Sequence, residues 1–282
     1  MGKRGEEKLF KALMLASLAI VLGSLFAVVI LIVWNGLPAL SWSMITQVPK
    51  GGYYLGKEGG VLNAIVGSLY LGLFSTALAF VISLPAALAL QKDYLKNTRV
   101  AYVIRLALDV LWGTPSIVYG AFGFTVMLYL GMRASLLGGI LVLTLLQLPI
   151  MIRAMEEALK MVPQDLKEAS YTLGATRFET TARVVIRQAL PGILTGVLLA
   201  FGRGSGDAAS ILVTAGFTDS LPGSLLAPVA SLPLAIFFQL GTPFPEVQQR
   251  AYASALILLI IVLGLSIVAR ALSKKFMKNI VR

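Results

Sequence analysis

An all-α integral membrane protein with six transmembrane helices is the fold class this sequence predicts, and three observations carry the prediction. Of its 282 residues 57% are hydrophobic and 13% charged, with a mean hydropathy of +0.85, a balance foreign to soluble domains. The apolar residues fall in long runs separated by polar loops. Lysine and arginine crowd into alternate loops, as the positive-inside rule describes for a chain threading a bilayer.

Taken in order, Lys3, Arg4, Lys8 and Lys11 precede an apolar-dominated run over 12–33. A signal-peptide core spans only about 7–15 residues. This run reaches roughly 33 Å at 1.5 Å per residue, so a retained N-terminal helix is expected. Residues 34–62 form a loop with Trp34, Trp42, Tyr53 and Tyr54, aromatics suited to a membrane–water boundary. Its GGYYLGK at 51–57 nearly matches a phosphate-binding glycine loop. Glu58 follows where Ser or Thr is needed and no strand precedes it, so no nucleotide site is expected there.

The second apolar segment covers 62–90, and Lys92, Lys96, Arg99 and Arg105 mark the next loop as cytoplasmic. The third, about 101–130, contains Asp109 and the break GTPSIVYG at 113–120. Proline and glycine inside a span free backbone groups that protein or water must satisfy, which turns this segment toward the interior. Asp109 lies four residues after Arg105, a spacing that suits an ion pair on one helix face. The fourth segment runs over 136–152, and the fifth, about 192–215, carries GRGSGDAASILVTAG. In the 216–250 loop the apolar piece 225–240 is broken by Pro228 and Pro233, so it is expected to be interfacial or re-entrant. The sixth segment, 251–272, precedes Lys274, Lys275, Lys278 and Arg282.

Nineteen of the 24 basic residues fall in the N-terminus, the 92–105 loop, the 153–187 loop and the C-terminus, which places both ends in the cytoplasm. The same topology accounts for a net charge of +11 that in a soluble chain would point to nucleic acid. With no cysteine and no histidine, disulfides, thiol or imidazole catalysis and the commonest metal ligands are excluded. No metal site and no cofactor is expected. The whole chain reads as one transmembrane domain, with an N-terminal helix at 12–33, a core at about 59–272 and a cytoplasmic loop at 153–191.

That loop is the longest charged stretch. Pro163 can open a short helix, DLKEASYT, with Leu166, Ala169 and Leu173 at helical spacing. Gly174 suits a left-handed turn at its end, and a second helix, ATRFETTARVVIRQA, is expected to stop at Pro191. Helix, turn and helix form a knob for a partner to grip.

Glu168-Ala169-Ser170 followed by Gly174 resembles the EAA loop of binding-protein-dependent ABC importer permeases. Ser170 stands where that pattern has a second alanine, and Ile186-Arg187 where it closes on Leu-Pro; Leu190-Pro191 follows four residues later. The resemblance implies the type I ABC importer permease fold, with Glu168, Ala169, Ser170 and Gly174 as the ATPase-coupling residues. GGVLNAIVGSLYLG at 59–72 and TPSIVYG at 114–120 are similar to phosphate permeases of this family. SLPLAIF at 231–237 and RAYASAL at 250–256 look like the A-type of the two phosphate permeases.

Arg203 lies twelve residues beyond Pro191, roughly 18 Å into a core about 30 Å thick. Asp207 is one helical turn further on the same face, and Gly202, Gly204 and Gly206 strip the stretch of bulk. Two readings stand: a self-neutralising pair that fixes packing, or an anion site in which Arg203 presents its planar donor fork to an oxyanion. Phosphate permeases carry Arg-Ala-x-Gly-Glu-Thr-Ala here, and RGSGDAA aligns with it at Arg203, Gly206, Asp207 and Ala209, with Asp207 one methylene shorter than the glutamate and Ala208 lacking the threonine hydroxyl. By resemblance, Arg203, Gly206 and Asp207 are the substrate-pathway residues. The chain is then expected to be a phosphate importer's permease subunit with no nucleotide site of its own. Its partners would be a second permease, cytoplasmic ATPase subunits, an extracytoplasmic phosphate-binding protein and the lipid bilayer. A permease for sulfate, molybdate or phosphonate, or an ATPase-independent anion transporter, remains the alternative.

Overall fold

The computed structural model describes residues 3–50, 58–91, 93–95 and 98–276. The glycine-rich 51–57 stretch and Lys92, Lys96, Lys278 and Arg282 lie outside the described residues.

The chain is built of helices: α1 (Lys3–Gly36), α2 (Trp42–Thr46), α3 (Leu62–Ala89), α4 (Arg99–Gly113), α5 (Ser116–Tyr129) and α6 (Leu136–Lys160). Then come α7 (Gln164–Thr172), α8 (Arg177–Thr180), a π-helical turn (Thr181–Val185), α9 (Ile186–Ser205), α10 (Leu232–Leu240) and α11 (Pro245–Phe276). Two two-residue strands, β1 (Pro49–Lys50) and β2 (Glu58–Gly59), pair antiparallel. Among the described residues five helical runs are long and apolar enough to cross a membrane, and the α4–α5 pair, bent by 105°, makes a sixth if its two halves are one broken span. The bend falls at Thr114-Pro115, where the ring fixes φ and removes a donor. α10 has only nine residues, about 14 Å, and does not span.

Helices α3, α6 and α9 form the centre. Apolar contact with a neighbour gains nothing over lipid, so helices in a membrane associate through close packing and hydrogen bonds. α3 meets this need with a buried stripe of small residues that includes Ala64, Gly67, Gly72, Ser75, Thr76, Ala79, Ser83 and Ala87. From α6, the fully buried Gln147 donates to Ser75 Oγ and accepts from Thr76 Oγ1, each at 3.0 Å. Thr144 Oγ1 donates to Ile140 O at 2.7 Å. α1 is exposed along most of its length and packs against α11. At Gly36 a Cβ would stand 2.6 Å from Tyr252 O.

Three expectations change. The helix expected to stop at Pro191 runs through it, because Gly192 and Gly196 seat α9 directly on Ala158 and Ala154 of α6 and that packing outweighs one lost backbone bond. The span expected over 192–215 ends at Ser205, and the chain then continues without regular helix to Ser231. Asp109 pairs with Arg153 of α6 rather than with Arg105. Arg105 instead bonds Glu156, because α6 offers both partners from an adjacent helix.

The close approach of α9 to α6 depends on Gly204, whose Cβ would overlap Gln147 Nε2. Gly204→Val is expected to cost about 1–3 kcal/mol or more by overpacking. Gly23→Val, with nothing within 4 Å, should be silent. Thermal unfolding of the two purified variants checks this.

Candidate functional site

Gln147 is the twelfth residue of the 25-residue α6, so the Gly204 contact puts the end of α9 at mid-height of that span. A helix ending there leaves backbone groups that lipid cannot satisfy, and the following segment must find partners within the protein. The structure supplies them. Ser135 N donates to Thr214 O, Leu136 N to Ala227 O and Leu137 N to Leu225 O, at 2.8–2.9 Å, so the first turn of α6 caps the irregular chain. Asn63 Nδ2 donates to Thr218 O at 2.6 Å, and Ser68 Oγ accepts from Leu232 N at 2.7 Å. A Cβ on Gly120 would stand 2.8 Å from Ser210 O, so α5 also lies against this backbone.

Asp207 and Arg203 therefore part company. Asp207 is 4% exposed, beyond the end of α9, and its Oδ2 accepts from Ser210 N at 2.8 Å and from Ser210 Oγ. It anchors the irregular segment. Arg203, in the last turn of α9, is exposed and makes no hydrogen bond or ion pair among the described residues. The self-neutralising pair is not formed. Gly206 is the exposed C-cap of α9, beside Arg203. The arrangement offers an unspent guanidinium where a membrane helix has stopped and side-chain bulk is missing.

At the other end of the same helical run stands the knob. α7 ends in a glycine motif: Gly174 has φ +83°, Gly174 N donates to Tyr171 O at 2.9 Å and Ala175 N to Ser170 O at 3.2 Å. A capping box of Thr176 and Glu179 then opens α8. Glu168, Ala169 and Gly174 are exposed, and Glu168 is unpartnered among the described residues. Ser170 Oγ lies 2.9 Å from Thr180 Oγ1, joining the two arms, so the residue that departs from the alanine pattern has a structural use.

The expected apolar stripe of α7 is not what faces the body. Ala169 and Leu173 are exposed, Leu173 by 88%, and Lys167 is buried with its Nζ 2.8 Å from Asp93 Oδ2. Arg177 Nη1 donates to Asp93 O at 3.3 Å. Exposed Leu173 and Phe178, on a surface otherwise polar, make a small apolar patch of the kind that marks a protein contact. Nothing in the sequence singles out Lys167, Asp93 or Glu156 as site residues. The last is fully buried beneath Arg105 at 2.8 Å, Lys160 at 3.1 Å and Arg153 at 3.2 Å. Its i,i+4 spacing to Lys160 and i,i+3 spacing from Arg153 were the available signals.

Replacing Glu156 with Ala leaves three cations without their shared acceptor, and a loss of about 3–5 kcal/mol is expected. Thermal unfolding of Glu156→Ala and Glu157→Ala, the latter at an exposed residue, should separate strongly.

The profile of the family described as binding-protein-dependent transport system inner membrane component matches residues 79–279. The phosphate transport system permease protein PstA of Yersinia pestis is 33% identical over 97% of this chain and 92% of its own. The probable ABC transporter permease protein YqgI of Bacillus subtilis is 34% identical over 94% of this chain and 93% of its own. PstA 1 of Mycobacterium tuberculosis is 37% identical over 75% of this chain and 69% of its own. Among solved structures, a chain of the MetNI methionine ABC transporter in inward-facing conformations matches with a TM-score of 0.64 at 20% identity, covering 77% of this chain and 96% of that one. The architecture is thus the type I ABC importer permease fold. On the sequence match over 79–279, this multi-pass membrane chain belongs to the family of binding-protein-dependent transport system inner membrane components.

Proposed function

We propose that the chain is the permease subunit of an ATP-driven phosphate importer, lining half of the translocation pathway and taking its energy from a separate ATPase. The observation that carries this is Arg203, an exposed arginine without a partner among the described residues, in the last turn of α9 at mid-span height. Placing arginine at a bilayer centre costs about 2.5–3.5 kcal/mol even on insertion scales, which favours a water-filled path over lipid as its surroundings. A guanidinium fork presents paired donors to an oxyanion and cannot be neutralised by deprotonation. Relatives named as phosphate transport permeases support phosphate as that oxyanion.

In this reading Asp207 positions and does not bind: held by Ser210, it fixes the irregular chain behind Arg203. A second, similar permease faces Arg203 and completes the path, and an extracytoplasmic phosphate-binding protein delivers the ion. The α7–α8 knob, with Glu168, Ala169, Ser170 and Gly174, is the cytoplasmic contact for the ATPase, and both termini lie on that side. The exposed Glu168 and Leu173 fit a docked face.

Arg203→Ala should fold with an unchanged unfolding temperature yet reduce ATP-driven phosphate uptake to background. Asp207→Ala should lower the unfolding temperature, through a buried Ser210 N–H left without its acceptor, a loss of about 1–3 kcal/mol. Uptake by correctly inserted Arg203→Ala at the parent rate would remove the anion path. In transporters carrying Glu168→Arg, hydrolysis by the ATPase subunits should run out of step with transport while the membrane fold stays intact; normal uptake with normal ATPase binding would remove the coupling contact.

A further inference from the structure

At the knob end of the molecule a polar cleft of about 740 Å³ opens where Asp93, Arg105 of α4, Lys160 of α6, and Gln164 and Lys167 of α7 come together. It is distinct from Arg203, which does not line it. Among the described residues three cations face it and one carboxylate, with Glu156 behind Arg105 and Lys160. The cations hold unspent donors. Arg105 has five N–H groups, and the structure engages its Nε with Glu156 and its Nη2 with Leu90 O. The Lys167 ammonium has three, and one goes to Asp93 although the side chain is only 9% exposed. Lys160 is held by Glu156 and Glu157, so the spare donors are those of the partly exposed Arg105 and the buried Lys167, and an anion with several oxygens could take both.

Position narrows the class. Lys160 is the last residue of α6 and Leu90 the cap of α3, so the cleft lies at the boundary of two spans, at the level where lipid phosphates and aqueous anions both reach. Its volume exceeds a bare phosphate and leaves room for water or for the glycerol ester of a lipid, against Leu90 and Val162. We propose that this cleft binds a phosphoryl anion, and that the anion bridges Lys167 of α7 to Arg105 of α4 and Lys160 of α6, setting how firmly the knob is held to the membrane body. The source is free phosphate or a phospholipid headgroup; the recognising chemistry is the same. This stands independently of the pathway proposed for Arg203.

The chain has no cysteine, so Gln164→Cys gives the full-length protein one thiol on the wall of the cleft. It is made together with Arg203→Ala, so that no anion in the membrane path contributes. In a phosphate-free maltoside detergent, modification of Cys by an uncharged maleimide is followed as inorganic phosphate replaces chloride at fixed ionic strength. Protection follows one plus the ratio of ligand to Kd, so about tenfold slowing is expected at ten times Kd. If phosphatidylglycerol slows the reaction without added phosphate, the headgroup is the source. In either case Lys160→Gln, at a half-exposed residue, should weaken protection. The charge-neutral swap Asp93→Asn with Lys167→Gln should abolish it without lowering the unfolding temperature. No protection in either arm, or protection that survives both sets of variants, overturns the site.

Discussion

Everything in the centre of this molecule depends on where α9 stops. The helix ends at Ser205, capped by Gly206, where Gly204 lies on Gln147 with no space for a side chain. In water such an end would be trivial. Inside a bilayer each freed N–H and C=O must be bonded by protein, so the 206–231 segment can exist only because α3, α5 and the first turn of α6 surround it. The small-residue stripe of α3 and the Gln147–Ser75–Thr76 cluster bring those helices close enough to do so. The reward is an arginine at mid-height without a carboxylate beside it.

The knob and Arg203 belong to one run of helix, from Arg177 through the π turn to Ser205, 29 residues or roughly 43 Å. A displacement of α7 therefore has a stiff route to the end of α9. The π turn at Thr181–Val185 lies near the knob, and Tyr94 OH, 3.0 Å from Thr181 Oγ1, ties it to the loop that also carries Asp93. Lys167–Asp93, Arg177–Asp93 and Ser170–Thr180 hold the knob at a fixed angle to the body. These contacts are few and polar, which suits a joint that must move.

Hydropathy was enough to locate the apolar helices, and proline and glycine the bend at Thr114-Pro115 and the short, non-spanning piece before α11, because burial in lipid and loss of a backbone donor are written residue by residue. Gly174 was legible for the same local reason: its φ of +83° is one that L side chains rarely adopt. The end of α9 was not, since Ile211, Leu212 and Val213 are as apolar as a helix would be, and hydropathy reports the solvent without reporting the backbone bonds. The Asp207–Ser210 spacing, which suits a side chain bonding its own backbone three residues on, was the overlooked sign. Arg105 and Asp109 were mispaired for a related reason. An i,i+4 rule knows one helix, and Arg153 and Glu156 approach from another. The burial of Lys167 was not legible, because lysine is almost always exposed and only the fold brings Asp93 to it.

The account turns on Arg203 facing an aqueous path at a helix that has already ended. Single cysteines placed through 199–209 of this cysteine-free chain, in the assembled transporter, report that directly through their reaction with a membrane-impermeant thiol reagent. Positions 202, 203 and 206 should react, while 200 and 201, buried in the protein, should not. An unreactive 203 that is instead quenched by a lipid-borne probe would put the arginine against lipid and contradict the account.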